Sequence, residues 1–141
     1  MTSDYAHFIV ESMVDVHDDQ FKKLYLSTAR EYVQALTRDL GSLSRDLNNP
    51  NYISQIRISA HSLKGQSNAV GYTHIAAVSH LIEETCRRFL EEQKEITLPQ
   101  VNIIQQSLTF LTESLDTIEL NNTESDLTKV EETLQGVLET K

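Results

Sequence analysis

Apolar residues recur along this chain at spacings of three and four, the period of a helix buried along one face. Between about Asp19 and Leu47 the series is Phe21, Leu24, Thr28, Tyr32, Leu36, Leu40, Leu43 and Leu47. From Tyr52 to Val70 it is Ile53, Ile56, Ala60, Leu63 and Ser67, and from Thr73 to Gln93 it is Ile75, Ser79, Ile82, Cys86 and Phe89. A fourth run, Leu98 to Leu120, keeps the most regular rhythm, with Val101, Ile104, Leu108, Leu111, Leu115 and Ile118. Thr97-Leu98-Pro99-Gln100 reads as its start, a capping box with proline in the first turn. A shorter fifth run from Glu124 to Leu138 carries Leu127, Val130, Leu134 and Val137, with Thr123-Glu124-Ser125-Asp126 as its expected beginning.

The breaks fall at Asn48-Asn49-Pro50-Asn51, Gly71-Tyr72-Thr73, Lys94 to Pro99 and Asn121-Asn122-Thr123. Four long helices with short connections predict an all-α, antiparallel up-down four-helix bundle over residues 19–120. Residues 121–141 are expected to add a fifth helix on its side or to begin a linker. Residues 1–18 form an extension in which Phe8, Ile9, Met13 and Val16 are compatible with a short N-terminal helix.

Composition narrows the function. The formal net charge of -9 argues against nucleic acid or an anionic membrane as the main partner. Cys86 is the single cysteine, which permits no internal disulfide and suits the cytoplasm. No run approaches a membrane span, and the acidic N-terminus lacks the basic start of a signal peptide.

The chemistry lies off the apolar faces. On the second helix Arg57, His61, Lys64 and Asn68 form a polar strip at 4-3-4 spacing; on the third the matching strip is Ala76, His80, Glu83 and Arg87. His61 lies ten residues before Gly71 and His80 nine after it, so a hairpin turning there sets both strips level. His61, Lys64, His80 and Glu83 are therefore expected to form one cluster. A neutral imidazole is a nucleophile near pH 7. A carboxylate such as Glu83 on one ring nitrogen holds the tautomer and activates the other. Lys64 is placed to neutralise arriving phosphoryl oxygens, and His80 to extend the network. Gly65, an interior helical glycine beside the nucleophile, leaves room for a partner. Gly71 suits a left-handed helix stop. His7, His17 and His74 read as structural or incidental.

His61-Ser62-Leu63-Lys64-Gly65, the small Ser67 and Gly71-Tyr72 resemble the signature of histidine phosphotransfer (HPt) domains. The added His80-x-x-Glu83 is similar to the phosphoacceptor P1 domain of the chemotaxis kinase CheA. That resemblance implies a module of a two-component phosphorelay, not itself an enzyme: His61 accepts a phosphoryl group from a histidine kinase catalytic domain and passes it to a response-regulator receiver aspartate. It implies no cofactor on this chain, with ATP on the kinase and Mg²⁺ on the receiver. Arg57, Gly65, Gln66 and Asn68 form the expected docking flank. No kinase domain follows Lys141, so a fragment of a larger kinase and a free-standing carrier both remain open. A metal-binding bundle using His61, His80 and Glu83 is weighed against this. It fits poorly: the Glu-x-x-His order of di-metal bundles is reversed, occurs once, and has a lysine beside it. A helical adaptor without chemistry is the remaining alternative.

Overall fold

The computed structural model describes residues 18–140, and the N-terminal helix expected between Tyr5 and Val16 lies outside them. Five helices follow in order: α1 (Asp18–Arg45), α2 (Pro50–Val70), α3 (Thr73–Glu92), α4 (Leu98–Asn121) and α5 (Thr128–Glu139). The described residues contain no strand, and no described helix is long and apolar enough to cross a membrane.

The local signals act as their chemistry dictates. Asn49 caps α2 by accepting from the Asn51 N–H, with Pro50 at the first helical position. Thr97 and Gln100 exchange both bonds of the capping box that opens α4. Gly71 ends α2 with φ 88°; its N–H reaches the Asn68 carbonyl and the Tyr72 N–H the Ser67 carbonyl, which is a Schellman stop. The two-residue connection then forces α3 back antiparallel along α2.

Packing runs round a ring: α1 on α2, α2 on α3, and α4 back on α1. Direct contact between α3 and α4 is slight, and α5 packs against both. Leu36, Leu40, Ile56, Leu63, Ile75, Ile82, Ile104, Leu111, Leu115 and Leu134 are fully enclosed. Each such side chain contributes about 1.5–3 kcal/mol through burial.

The expected inward residues of α2, α3 and α4 are all buried, and α3 buries Ala76, Val78, Leu81, Glu83 and Thr85 as well. Two further features differ. In the first half of α1 the buried positions are Tyr25, Leu26, Ala29 and Val33, whereas Leu24 is 63% exposed. Leu24, Tyr25 and Leu26 are all apolar, so the spacing left the phase open. A buried hydrogen bond of 2.8 Å between the Tyr25 and Ser67 hydroxyls, and a tilted contact between the Tyr25 and Tyr72 rings at 5.0 Å, set it. The second difference is the start of α5, at Thr128 rather than near Glu124. Ser125 N–H donates to Ser114 Oγ at 2.9 Å, and Asp126 accepts from the Thr128 N–H, so residues 123–127 cross α4 without helical structure.

Candidate functional site

The antiparallel α2–α3 hairpin brings the two halves of the expected cluster together. Glu83 projects from α3 into the α2–α3 contact, its side chain only 10% exposed, and meets two side chains of α2. One carboxylate oxygen accepts the His61 Nδ1–H bond. The other accepts from Lys64 Nζ at 2.6 Å. His80 is at the edge, its Nδ1 3.7 Å from the Lys64-bound oxygen, beyond a hydrogen bond.

Burial acts most strongly on the Glu83 carboxyl and would raise its pKa; the hydrogen bonds from Lys64 and His61, with the lysine's charge behind them, outweigh it and hold the group below its ordinary range. Glu83 is thus an anion at neutral pH, and an ionised carboxylate only accepts. The His61 proton must then sit on Nδ1. The ring is 66% exposed, so Nε2, the nitrogen without a proton, is open to approach.

The α3 strip is less solvated than its spacing implies. Ala76 and Glu83 are both buried against neighbours. Arg87 turns from the cluster to pair with Glu84 and Glu91, each at 2.6 Å. Lys64 is also less free than expected, because its ammonium is bound to Glu83.

Of the expected docking residues, Arg57, Gly65 and Asn68 are exposed on the flank of α2. A Cβ added at Gly65 would meet nothing within 4 Å, so the bundle's own packing does not require glycine there. Gln66 lies half-buried toward α1, beside Phe21, Leu24, Tyr25, Thr28, Ala69 and Val70, and its Oε1 is enclosed without a hydrogen-bond partner. The same flank carries an exposed apolar residue that the spacing did not single out. Ile58 is 65% exposed three residues before His61, so Ile58, His61 and Gly65 share one face of α2. The signal was an apolar residue out of phase with Ile53, Ile56, Ala60 and Leu63.

Among the described residues, the side chains close enough to share a metal ion are His80, Glu83 and Glu84; His61 is not in that group. Glu83 already neutralises Lys64, which weakens it as a ligand. Cys86 is enclosed in the core, and burial pushes its thiol up to about 12, which leaves it unreactive.

The chain is similar to the chemotaxis protein CheA of several organisms. It is 32% identical over 81 residues to that of Listeria monocytogenes serovar 1/2a, covering 57% of this chain and 13% of the relative. It is 27% identical over 93 residues to that of Bacillus subtilis, covering 66% and 14%. With that of Halobacterium salinarum the identity is 24% over 122 residues, covering 86% and 18%. The chain thus spans only 13 to 18% of the length of these curated relatives. No solved structure gives a significant match. Residues 20–137, from the first turns of α1 into α5, match the Hpt domain, and the chain belongs to that family.

Proposed function

We propose that this chain is a histidine phosphotransfer module of the kind found in CheA, with His61 as the phosphoacceptor. The observation that carries the reading is the doubly bonded Glu83 carboxylate. It holds the His61 proton on Nδ1 and leaves Nε2 as the nucleophile on an exposed ring. In the forward step the Nε2 lone pair attacks the γ-phosphorus of ATP held by a separate histidine kinase catalytic domain. An N–P bond forms, the bond to the ADP oxygen breaks, and the ring gains positive charge that Glu83 offsets through the Nδ1–H bond. In the second step a carboxylate oxygen of a receiver aspartate, with its Mg²⁺, attacks phosphorus. The N–P bond breaks and the ring returns to its neutral form. No step requires ATP or a metal on this chain.

Lys64 acts first by balancing Glu83, so that an anion is tolerated in the helix contact; rotation about its flexible stem brings the ammonium to the phosphoryl oxygens. His80 lies beside the same carboxylate oxygen and supplies a second polarisable ring. Ile58 and Gly65 give the partner an apolar, sterically open approach beside His61, and Arg57 adds positive charge to a chain of net charge -9.

The test is transfer from labelled protein to a panel of receiver domains, with labelling by a CheA-type kinase catalytic domain supplied in trans. His61→Gln should fold with unchanged circular dichroism and carry no label. Full labelling of that variant would end the assignment.

A further inference from the structure

At the N-terminus of α3, six residues before His80, carboxylates from the α4–α5 segment and from α5 converge on His74. Glu124, from the segment between α4 and α5, accepts the His74 N–H on one oxygen and the Ile75 N–H on the other, each at 3.0 Å. These are first-turn amides of α3, which lacks a side-chain cap of its own from Tyr72. A residue distant in sequence therefore completes that helix. The His74 ring then reaches across to α5: Nδ1 is 2.9 Å from Glu131 Oε2, and Nε2 is 4.0 Å from Asp126 Oδ1.

We propose that His74 is a proton-operated clamp, which seats α5 on α3 more firmly when its ring is charged than when it is neutral. A neutral ring has one N–H, which goes to Glu131, and turns its second nitrogen's lone pair toward the Asp126 carboxylate. The imidazolium offers an N–H to each side. A positive ring at a helix N-terminus is ordinarily disfavoured by the helix dipole, but the Glu124 carboxylate already sits on those amides and offsets it. The charged groups acting on the ring are Glu131 from α5 and Glu124 and Asp126 from the connecting segment; from α1, the Tyr25 hydroxyl lies within electrostatic reach of Glu124. The ring's pKa is raised, the Glu131 hydrogen bond being the main cause, with partial burial opposing it.

The sign follows. A raised value in the seated state means that the extra stability is fully present below the ordinary histidine value of 6.5 and is lost as the pH rises through the higher, seated value. The clamp therefore weakens across the near-neutral range. Leu127, Leu134 and Val137 are buried, so apolar packing seats α5 and the ring tunes that seating without creating it.

The experiment pairs an NMR titration of the His74 ring with hydrogen exchange of the α5 amides, residues 128–139, from pH 5.5 to 8.5 in the full chain. After correction for intrinsic exchange, wild-type protection should fall through the His74 titration. Each unit by which the ring's pKa exceeds that in an unfolded reference should correspond to a tenfold fall. In Glu131→Gln the ring should titrate lower and the fall should shrink; in His74→Gln it should vanish while the helix content stays constant. Flat wild-type protection through the titration, or an undiminished fall in His74→Gln, would overturn the proposal.

Discussion

Replacing Glu83 by glutamine separates the shape of the carboxylate from its charge. In the native site two donors, His61 Nδ1–H and the Lys64 ammonium, meet two acceptor oxygens on one group. A glutamine amide of nearly the same size offers one acceptor and one donor, so it cannot satisfy both. Directing its carbonyl at His61 sets its NH₂ against an ammonium. Directing its carbonyl at Lys64 keeps the charge-assisted bond, worth about 1.5–3 kcal/mol against about 0.5–1.5 for a neutral one. The second arrangement wins by about 1 kcal/mol, roughly fivefold in population. The NH₂ then faces Nδ1, which must turn acceptor, and the proton moves to Nε2, where it blocks the nucleophile. To that fivefold loss is added the missing anion opposite a ring that becomes positive on attack; a preorganised electrostatic partner of this kind is worth about 10²–10³ in rate. Phosphorylation should therefore slow by at least about two orders of magnitude, with the fold intact. Long-range ¹H–¹⁵N correlation of the imidazole should show His61 moving from the Nδ1–H to the Nε2–H tautomer. Adding Lys64→Met should restore the Nδ1–H form, because the carbonyl is then free to turn back to His61. An Nδ1–H ring in Glu83→Gln, together with phosphorylation within about twofold of wild type, would refute the reasoning that one carboxylate sets the tautomer.

Two further outcomes follow from the same geometry. The Glu83 carboxyl is held below its ordinary 4.5, so its stabilisation is present above that value and is lost as the pH falls through the lower folded value. Urea midpoints between pH 3 and 7 should therefore show an acid limb that becomes shallower in Lys64→Met, and an unchanged limb would remove Lys64 as a cause. Gly65→Ala should stabilise the bundle by about 0.8–1 kcal/mol, raising Tm by roughly 3 °C, since nothing crowds the added methyl. The same variant should slow transfer to a receiver; a stabilised variant that transfers at the native rate would show that the glycine does not serve docking.

Most of the bundle was legible because its cause is local in the chain. The inward face of α2 could be read from five residues, and the Gly71 stop placed His61 and Glu83 level by counting along two helices. What escaped was decided between elements distant in sequence. Leu24 and Tyr25 compete for the same stripe of α1, and the Ser67 hydroxyl and the Tyr72 ring across the contact favour Tyr25. Glu124 looked like the opening of α5 because acidic residues suit a helix start, yet it opens a different helix, α3. Gln66 sits in the polar run after His61, but its position on the helix turns it toward α1.

The same distinction explains why the site tolerates a buried anion. A carboxylate enclosed in a helix contact without a partner would be costly, and pairing with one lysine often does little more than recover that cost. Here the pair is completed by an imidazole that is itself largely exposed, so a third group shares the charge without being buried. The fold therefore gains little from Glu83 that a well-packed apolar residue could not supply. Glu83→Leu, with Lys64→Met to avoid stranding the ammonium, should leave stability near native while the His61 ring loses its fixed tautomer. Its presence in the helix contact is accounted for by what it does to the imidazole, and under the proposed function this ties the arrangement of α2 and α3 to phosphoryl chemistry at His61.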